Sequence, residues 1–193
     1  MIAGELQKAG IKLDAEAGAR LERFTQLLSE WNATHNLTGA KSLHEIEENL
    51  FDSLYPVSFV DPPESLLDVG TGAGFPGLVL AAVWPETETV LCEPLQKRSA
   101  FLRLAALEMG LDRVEVVRKR VEDLDHAPFG LISSRAVSDT ALLLRLTEHL
   151  RDEQTRYLLY KGSRVDEELN RVEGFEAQIR ERPPRRYLIL SRG

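Results

Sequence analysis

Residues 66–77 read LLDVGTGAGFPG and place four glycines within eight positions, directly after an apolar segment. The apolar segment predicts a buried strand, and Pro76 suits the first turn of a helix, where no N–H is needed. Glycine adopts backbone angles closed to other residues and lets a ligand approach the main chain. Because ligands of open α/β sheets bind where a strand turns into its helix, the segment predicts a ligand-binding loop.

The chain after residue 60 alternates between short apolar runs and helical patterns, which predicts an α/β fold with a doubly wound, mostly parallel sheet. The predicted strands are 66–69, 88–93, 114–117, 129–133 and 155–160, with a last strand at 185–191 after two prolines. The predicted helices span about 76–83, 95–109, 138–150 and 164–172.

The first sixty residues predict helices instead. Asp14 is a plausible N-cap, and apolar residues then recur at helical spacing on a helix that ends near Asn32. A second apolar stripe follows, and the segment VDPPES marks a boundary at 60–65. The two stripes consist of Ala17, Leu21, Phe24, Leu28 and Trp31, and of Leu43, Ile46, Leu50, Leu54 and Val57. We therefore expect a helical extension at 1–60, packed on a sheet domain at 61–193 as one structural unit.

Charge is unevenly distributed along the 193 residues, whose net charge is -7. Residues 61–94 carry six acidic and no basic side chains, so the surroundings of the glycine loop suit a cationic ligand. The basic clusters QKR, RKR and RPPRR lie later, at 96–98, 118–120 and 182–186, and each is more often a solvated face than a binding site. The overall charge argues against a general nucleic-acid coat protein.

The sequence predicts a cytoplasmic protein without a membrane span. Its start lacks the pattern of a secretory signal, and no run of eighteen apolar residues occurs. The single cysteine, Cys92, has no partner for an internal disulfide, in keeping with a reducing compartment. We interpret Cys92 as a small buried residue. The four histidines show no metal-ligand spacing, so no metal site is expected.

Two ligands compete for the glycine loop. Gly72-x-Gly74-x-x-Gly77 matches the fingerprint of a dinucleotide site, which favours NAD and an NAD-dependent reductase. Asp68, two residues before Gly70, favours S-adenosylmethionine, because that molecule has no phosphate and carries a sulfonium and an ammonium cation.

Two acidic positions downstream fit either ligand. Glu93 ends the second predicted strand, where a carboxylate accepts hydrogen bonds from ribose hydroxyls. The segment VED at 121–123 follows the third strand and would lie beside an adenine. The alternatives are a surface strand end for Glu93 and an ordinary first-turn acid for Glu122.

One family carries the same motifs in the same order. They are WNATHNLTG, FDSL, DVGTGAGFPGLVLA, QKRSAFLR, RVEDL, SRAV and YKG. With these motifs the chain closely resembles ribosomal small-subunit RNA methyltransferase G, also called glucose-inhibited division protein B. The resemblance implies a class I S-adenosylmethionine-dependent methyltransferase fold, Rossmann-like, with a final antiparallel strand. It also implies methylation of a guanine N7 in 16S ribosomal RNA, near the decoding region, on the small subunit or its assembly intermediate. We expect the protein to act as a monomer.

The resemblance assigns roles to individual positions. Gly70 and Phe75 match loop residues that touch the cofactor, Val121 and Glu122 match the adenine-side pair, and Arg135 matches an arginine at the mouth of the site. With Asp68, Gly72, Gly74 and Glu93, these residues form the expected cofactor site. The chain departs from the family pattern in two places, since Asn49 replaces a usual histidine and Gly130 a common aspartate.

The expected reaction needs no catalytic acid or base, because guanine N7 has a free lone pair and no proton. Arg135 and Lys161 are the candidate contacts to the substrate, through guanine O6 or a phosphate. The alternatives are an ion pair of Arg135 with Asp68 or Glu122, and a capping role for Lys161. Trp31 is expected to pack rather than to stack on a base. A ribosome assembly factor that binds RNA and cofactor without catalysis, and a methyltransferase for a small molecule, remain alternative functions.

Overall fold

The computed structural model describes residues 2–135 and 139–193, without the side chains of residues 2 and 3. Within these residues the strands form one sheet in the order β3-β2-β1-β4-β5-β7-β6. The strands are β1 (Ser65–Val69), β2 (Glu88–Cys92), β3 (Val114–Val117), β4 (Leu131–Ser134), β5 (Arg156–Lys161), β6 (Phe175–Arg182) and β7 (Arg185–Arg192). Strands β1 to β5 pair in parallel, and β7 runs antiparallel to β5 and β6. The predicted α/β class and the final antiparallel strand are confirmed.

The helices of the described residues cover both faces of the sheet. They are α1 (Ile2–Lys8), α2 (Ala15–His35), α3 (Leu43–Leu54), α4 (Gly77–Val83), α5 (Gln96–Glu108), α6 (Thr140–Leu146) and α7 (Val165–Leu169). Short 3-10 turns lie at Tyr55–Ser58, Val121–Asp123 and Glu148–Leu150. None of these helices has both the length and the apolar character that a bilayer span requires.

Helix α2 packs on α4 and α5, and α3 packs on α4. Helix α3 also reaches the sheet, where the hydroxyl of Tyr160 in β5 donates to the carbonyl oxygen of Ser53 at 2.9 Å. Asp14 accepts the N–H of Ala17 at 2.7 Å, which confirms it as the N-cap of α2, although that helix continues three residues past Asn32. Phe24 is fully buried and packs edge-on against Phe75 of the glycine loop, with ring centroids 5.3 Å apart. The extension therefore supports the loop directly.

The later elements differ from the predicted ones in three places. The helix predicted at 138–150 starts at a residue outside the described part. It is observed as α6 followed by a 3-10 turn, which ends at the fully buried Leu150. The helix predicted at 164–172 is only the short α7. Strand β6 was not predicted, since its sequence FEAQIRER is mostly polar and it lies at the exposed edge of the sheet.

Gly77 allows β1 and α4 to approach each other. A Cβ at this position would lie 2.4 Å from Leu91 Cδ2 and 2.6 Å from Asp68 Oδ2, and both neighbours are fully buried. Close helix–strand packing at this point therefore requires a residue without a side chain.

We expect Gly77→Ala to lower the free energy of unfolding by about 1–3 kcal/mol, because the new methyl group overpacks a closed core. Urea denaturation followed by circular dichroism measures the change. Gly162→Ala is the matched control, since a Cβ there meets nothing within 4 Å. Equal stability of the two variants would contradict this account of Gly77.

Candidate functional site

A pocket of about 760 Å³ opens at the carboxyl ends of the central strands. Its walls are the glycine loop, the end of β4, the first turn of α5, one face of α3 with the preceding loop, and the tip of the β6–β7 hairpin. The lining residues are Leu37, Thr38, Gly39, Ala40, Glu45, Glu48, Asn49, Asp52, Gly70, Thr71, Gly72, Ala73, Phe75, Arg98, Arg135, Arg182, Pro183, Pro184 and Arg185. The ligand position predicted from the sequence therefore coincides with an open pocket.

The glycine loop presents bare main chain to this pocket. Gly70 and Gly72 have φ of +69° and +60°, angles that favour glycine. A Cβ on Gly70 would meet no atom within 4 Å and would project into open space. The loop is thus a cradle that a side chain would fill, and it fits a ligand that lies close to the backbone.

Glu93 holds the loop in place. Its Oε2 accepts the N–H of Gly72 at 3.0 Å, and its Oε1 accepts the N–H of Leu95 at 2.9 Å. The residue is buried, which excludes the alternative of an exposed strand end. Each carboxylate oxygen can accept a second hydrogen bond, so a contact to ribose hydroxyls stays a prediction.

Asp68 lies beneath the loop and is fully buried. Its Oδ2 accepts the N–H of Gly77 at 2.9 Å, and its Oδ1 accepts the hydroxyl of Ser133 at 2.7 Å. Direct contact between Asp68 and a cofactor, expected from the sequence, is therefore corrected. The carboxylate organises the turn, and its charge is the property by which it would act on a ligand above the loop.

The same hydrogen bond decides between the two ligands considered for the loop. A dinucleotide site binds pyrophosphate at the N-terminus of the helix that follows the glycines. Here Asp68 already accepts the Gly77 N–H at the start of α4. A buried carboxylate at this point repels a phosphate, so the loop favours a ligand that is cationic.

Burial raises the pKa of Asp68 from 3.8 to about 6. Desolvation is the largest cause, and the side chains of Thr71 and Ser133, the Gly77 N–H and the charge of Arg135 act in the opposite direction. The carboxylate is mostly ionised at neutral pH and supplies negative potential beneath the loop.

Arg135 lies at the mouth of the pocket and contacts α3. Its guanidinium donates to the side-chain oxygen of Asn49 and, at 3.4 Å, to the carbonyl oxygen of the same residue. It also lies over the ring of Phe75, 5.6 Å from the centroid. The described contacts contain no ion pair of Arg135 with Asp68 or Glu122, the alternative considered from the sequence. Burial, followed by repulsion from Arg185, lowers the pKa of Arg135 from its usual value.

The residues expected beside the adenine lie apart from this pocket. Val121 is buried in the apolar core beneath the sheet end, whereas Glu122 is exposed and 3.8 Å from Arg120. Among the described residues, neither lines the pocket, nor does Glu93. Because β3 and β2 lie on the far side of β1 from the hairpin, a cofactor reaching these residues would extend away from the pocket along the sheet edge.

Lys161 is not placed to contact a substrate. Its side chain is 6% exposed, and its ammonium lies 2.7 Å from the carboxylate of Glu168. Glu168 also accepts the hydroxyl of Thr140 at 2.6 Å, so the ion pair joins β5, α6 and α7. A buried, paired ammonium is a structural group, which corrects the expected RNA contact.

Cys92 is buried, as predicted, and its thiol donates to the carbonyl oxygen of Lys119 at 3.3 Å. Burial raises its pKa to about 11, which keeps the thiol protonated and unreactive. Trp31 packs against Phe101 with ring centroids 5.7 Å apart, so the packing interpretation is confirmed. The described residues contain no group of three or more side chains arranged to hold a metal ion.

Sequence reasoning missed the wall formed by α3 and the hairpin. Glu45, Glu48, Asn49 and Asp52 line the pocket at spacings of three and four residues, on the face opposite the apolar stripe of α3. Such a polar stripe is indistinguishable from an ordinary solvated face until its neighbours are known. The departure at Gly130 lies elsewhere, at the amino end of β4, where its N–H donates to Ser65 Oγ.

Strand order, parallel pairing and the glycine cradle together define a class I S-adenosylmethionine-dependent methyltransferase fold. Two solved structures share it at low sequence identity. Ribosomal protein L11 methylase from Lactobacillus delbrueckii subsp. bulgaricus aligns with a TM-score of 0.60 at 14% identity, over 76% of this chain and 79% of that one. A variant of MtNAS in complex with S-adenosylmethionine aligns with a TM-score of 0.60 at 14% identity, over 90% of this chain and 71% of that one.

Sequence comparison is more specific. The family model for rRNA small subunit methyltransferase G matches residues 18–181, and the chain belongs to this family. A relative from Wolinella succinogenes, named ribosomal RNA small subunit methyltransferase G, is 48% identical over 96% of this chain and 95% of its own length. A relative of the same name from Aliarcobacter butzleri is 38% identical over 96% of both.

The raised pKa of Asp68 gives stability a defined pH dependence. Because the folded-state pKa of about 6 lies above 3.8, the folded state binds the proton more tightly than the unfolded chain. The tighter proton binding stabilises the folded state fully at a pH below the unfolded-state pKa of 3.8. This stabilisation is lost as the pH rises through the folded-state pKa of about 6. We expect wild type to lose up to ~3 kcal/mol relative to Asp68→Asn between about pH 4 and about pH 7.

Urea denaturation of both proteins across this range measures the difference. The amide keeps the two hydrogen bonds, since its oxygen accepts from Gly77 and its nitrogen donates to the Ser133 hydroxyl. Asp61→Asn, which removes an exposed carboxylate, is the matched control. Parallel profiles for wild type and Asp68→Asn would show that the buried carboxylate titrates normally.

Proposed function

We propose that this protein transfers a methyl group from S-adenosylmethionine to N7 of one guanine in 16S ribosomal RNA, near the decoding region. One observation carries the proposal. In a chain of the rRNA small subunit methyltransferase G family, a phosphate-excluding glycine cradle forms one wall of a pocket whose mouth holds Arg135 and two further arginines. A site for a cationic methyl donor thus adjoins one suited to an anionic polymer.

The residues present fit the cofactor. Gly70 and Gly72 leave the backbone accessible, and Glu93 lies beside them directly after β2. The buried Asp68 adds negative potential without competing for space. S-adenosylmethionine supplies an electrophilic methyl group on a sulfonium when bound. We place its methionine end on the glycine loop and its adenine toward Val121 and Glu122, away from the pocket.

The chain's own residues act by positioning. Guanine N7 bears a lone pair and no proton, so no general base is required, and the acceleration comes from alignment and exclusion of water. Phe75 and Ala73 give the pocket a mostly buried, apolar floor. Arg135 retains N–H groups beyond those bonded to Asn49. In this proposal they donate to guanine O6, which leaves N7 free.

The extension at residues 1–60 and the sheet domain at 61–193 act as one unit in this proposal, because α3 supplies a wall of the pocket. The base must leave its stack to enter the pocket. We infer a cytoplasmic monomer that acts on the small ribosomal subunit or its assembly intermediate.

Mapping of N7-methylguanosine by chemical cleavage of ribosomal RNA tests the proposal. We expect one site in 16S RNA that is absent from a deletion strain and is restored in vitro with labelled S-adenosylmethionine. Unchanged maps would refute the assignment. Binding of RNA and S-adenosylmethionine without any methyl transfer would identify a ribosome assembly factor. Methyl transfer only to a metabolite would identify a small-molecule methyltransferase. Binding of NADH but not of S-adenosylmethionine would identify a reductase.

Arg135→Gln should reduce methylation of 16S RNA by about a hundredfold, because the guanidinium contacts the substrate in the transition state. Arg145→Gln removes an exposed arginine of α6 and serves as the control. Both variants are compared for turnover with labelled S-adenosylmethionine and for thermal unfolding. Equal turnover of the two folded variants would remove Arg135 from the site.

A further inference from the structure

The basic segment RPPRR, which composition alone assigns to a solvated face, forms the tip of the β6–β7 hairpin, and its first four residues line the pocket. We propose that Arg182 and Arg185 form, with Arg135, a subsite for the RNA phosphodiester next to the target base, and that Asp52 is the positioning residue of this subsite. The inference rests on the proposed function and deepens it.

Asp52 fixes both hairpin arginines with one carboxylate. Its Oδ1 accepts from Nη1 of Arg182 at 2.8 Å, and its Oδ2 accepts from Nε of Arg185 at 2.7 Å. The carboxylate side chain is only 10% exposed, so both ion pairs are shielded from water on that side. Ion pairs of this kind are more rigid than exposed surface pairs.

The two arginines are not equally available. Arg182 stacks on the ring of Phe51, 4.2 Å from its centroid, and has a second acidic neighbour in Glu5 at 3.8 Å. Arg185 uses Nε for Asp52, and its side chain is 39% exposed. Because a guanidinium carries five N–H donors, the Nη groups of Arg185 remain available to a ligand. Arg185 is therefore the main phosphate contact, and Arg182 supports it.

The charge of the pocket is divided between its two ends. Arg135, Arg182 and Arg185 at one end exceed the charge of Asp52, in a protein whose net charge is -7. The other end holds Glu45 and Glu48 of α3, with Arg98 of α5.

Glu45 accepts the backbone N–H of Lys41 at 2.8 Å, and Glu48 lies 3.7 Å from His44. Neither acid therefore pairs with the hairpin arginines. A nucleotide bound across this field is oriented with its phosphate at the hairpin.

The size and chemistry of the pocket fit this occupant. Its volume of about 760 Å³ lies within the range of roughly 300–1,000 Å³ typical of small-ligand sites, enough for one unstacked nucleotide. Guanidinium groups match the geometry of phosphate oxygens better than a single ammonium does. Arg135 and Arg185 are close enough for Arg185 to lower the pKa of Arg135, and an intervening anion would relieve this repulsion.

Arg185→Gln tests the subsite, because Asp52 keeps Arg182 as a partner and the fold is preserved. We expect KM for 16S RNA to rise about tenfold, with kcat within about twofold of wild type, since the contact is made equally in the ground and transition states. The slope of log affinity against log salt should become shallower by about 0.7 to 0.9, the value for one lost phosphate contact. Affinity for S-adenosylmethionine, measured by calorimetry, should not change.

Arg180→Gln is the matched control, since Arg180 is an exposed arginine of β6, the other strand of the same hairpin, and does not line the pocket. Equal loss of RNA affinity in the two variants would reduce the effect to general electrostatics and overturn the subsite. Weaker binding of S-adenosylmethionine by Arg185→Gln, with RNA affinity unchanged, would assign the guanidinium to the cofactor carboxylate and also overturn it.

Asp52→Asn separates positioning from charge. Both arginines remain, so we expect KM for 16S RNA to rise while the salt slope stays that of wild type, a combination that loss of a phosphate contact does not produce. Thermal unfolding checks that the variant is folded. An unchanged KM in the folded variant would overturn the positioning role.

The proposed function and the subsite fail separately. RNA affinity and its salt dependence are measured without turnover, and methylation is measured by transfer of label. Wild type could bind 16S RNA without methylating it, while Arg185→Gln still shows lower RNA affinity and a shallower salt dependence than Arg180→Gln. That result would support the subsite and contradict the proposed reaction.

Discussion

The hydrogen bond from the Gly77 N–H to the carboxylate of Asp68 determines the rest of the site. It ties the end of β1 to the start of α4, and it requires a residue without a Cβ at position 77. With the helix start satisfied from within, the loop at 70–74 is free to face outward as a cradle. The buried charge simultaneously makes that cradle unsuitable for a phosphate and suitable for a cation. A single contact thus sets both the shape and the selectivity of the site.

The central part of the fold was predictable because its signals are local. Strands β1, β2 and β5 are apolar runs buried on both faces. The geometry of the glycine loop is predictable because its glycines tolerate positive φ. Strand β6 could not be found in this way. Its burial pattern has few covered positions, and its pairing with β7 depends on an edge that exists only after the sheet has formed.

The residues of the candidate site likewise divide into those with a local sequence signal and those brought together only by the fold. Gly70, Gly72 and Arg135 were identified from motifs and lie in the pocket. Asp52 and Arg185 were not, since their ion pair joins residues 133 positions apart and no periodicity records it. Asp68 and Lys161 were recognised as charged groups, but a sequence does not reveal that both are buried and fully engaged with structural partners.

The two departures from the family pattern have different weight in the structure. Gly130 lies at the amino end of β4, does not line the pocket, and donates its N–H to Ser65 Oγ. Asn49 holds Arg135 through an amide oxygen, where the pattern usually has a histidine. A neutral imidazole also offers one acceptor, but protonation near neutral pH removes it. An amide oxygen accepts at every pH, so the anchor of Arg135 in this chain persists under conditions that would release it from a histidine.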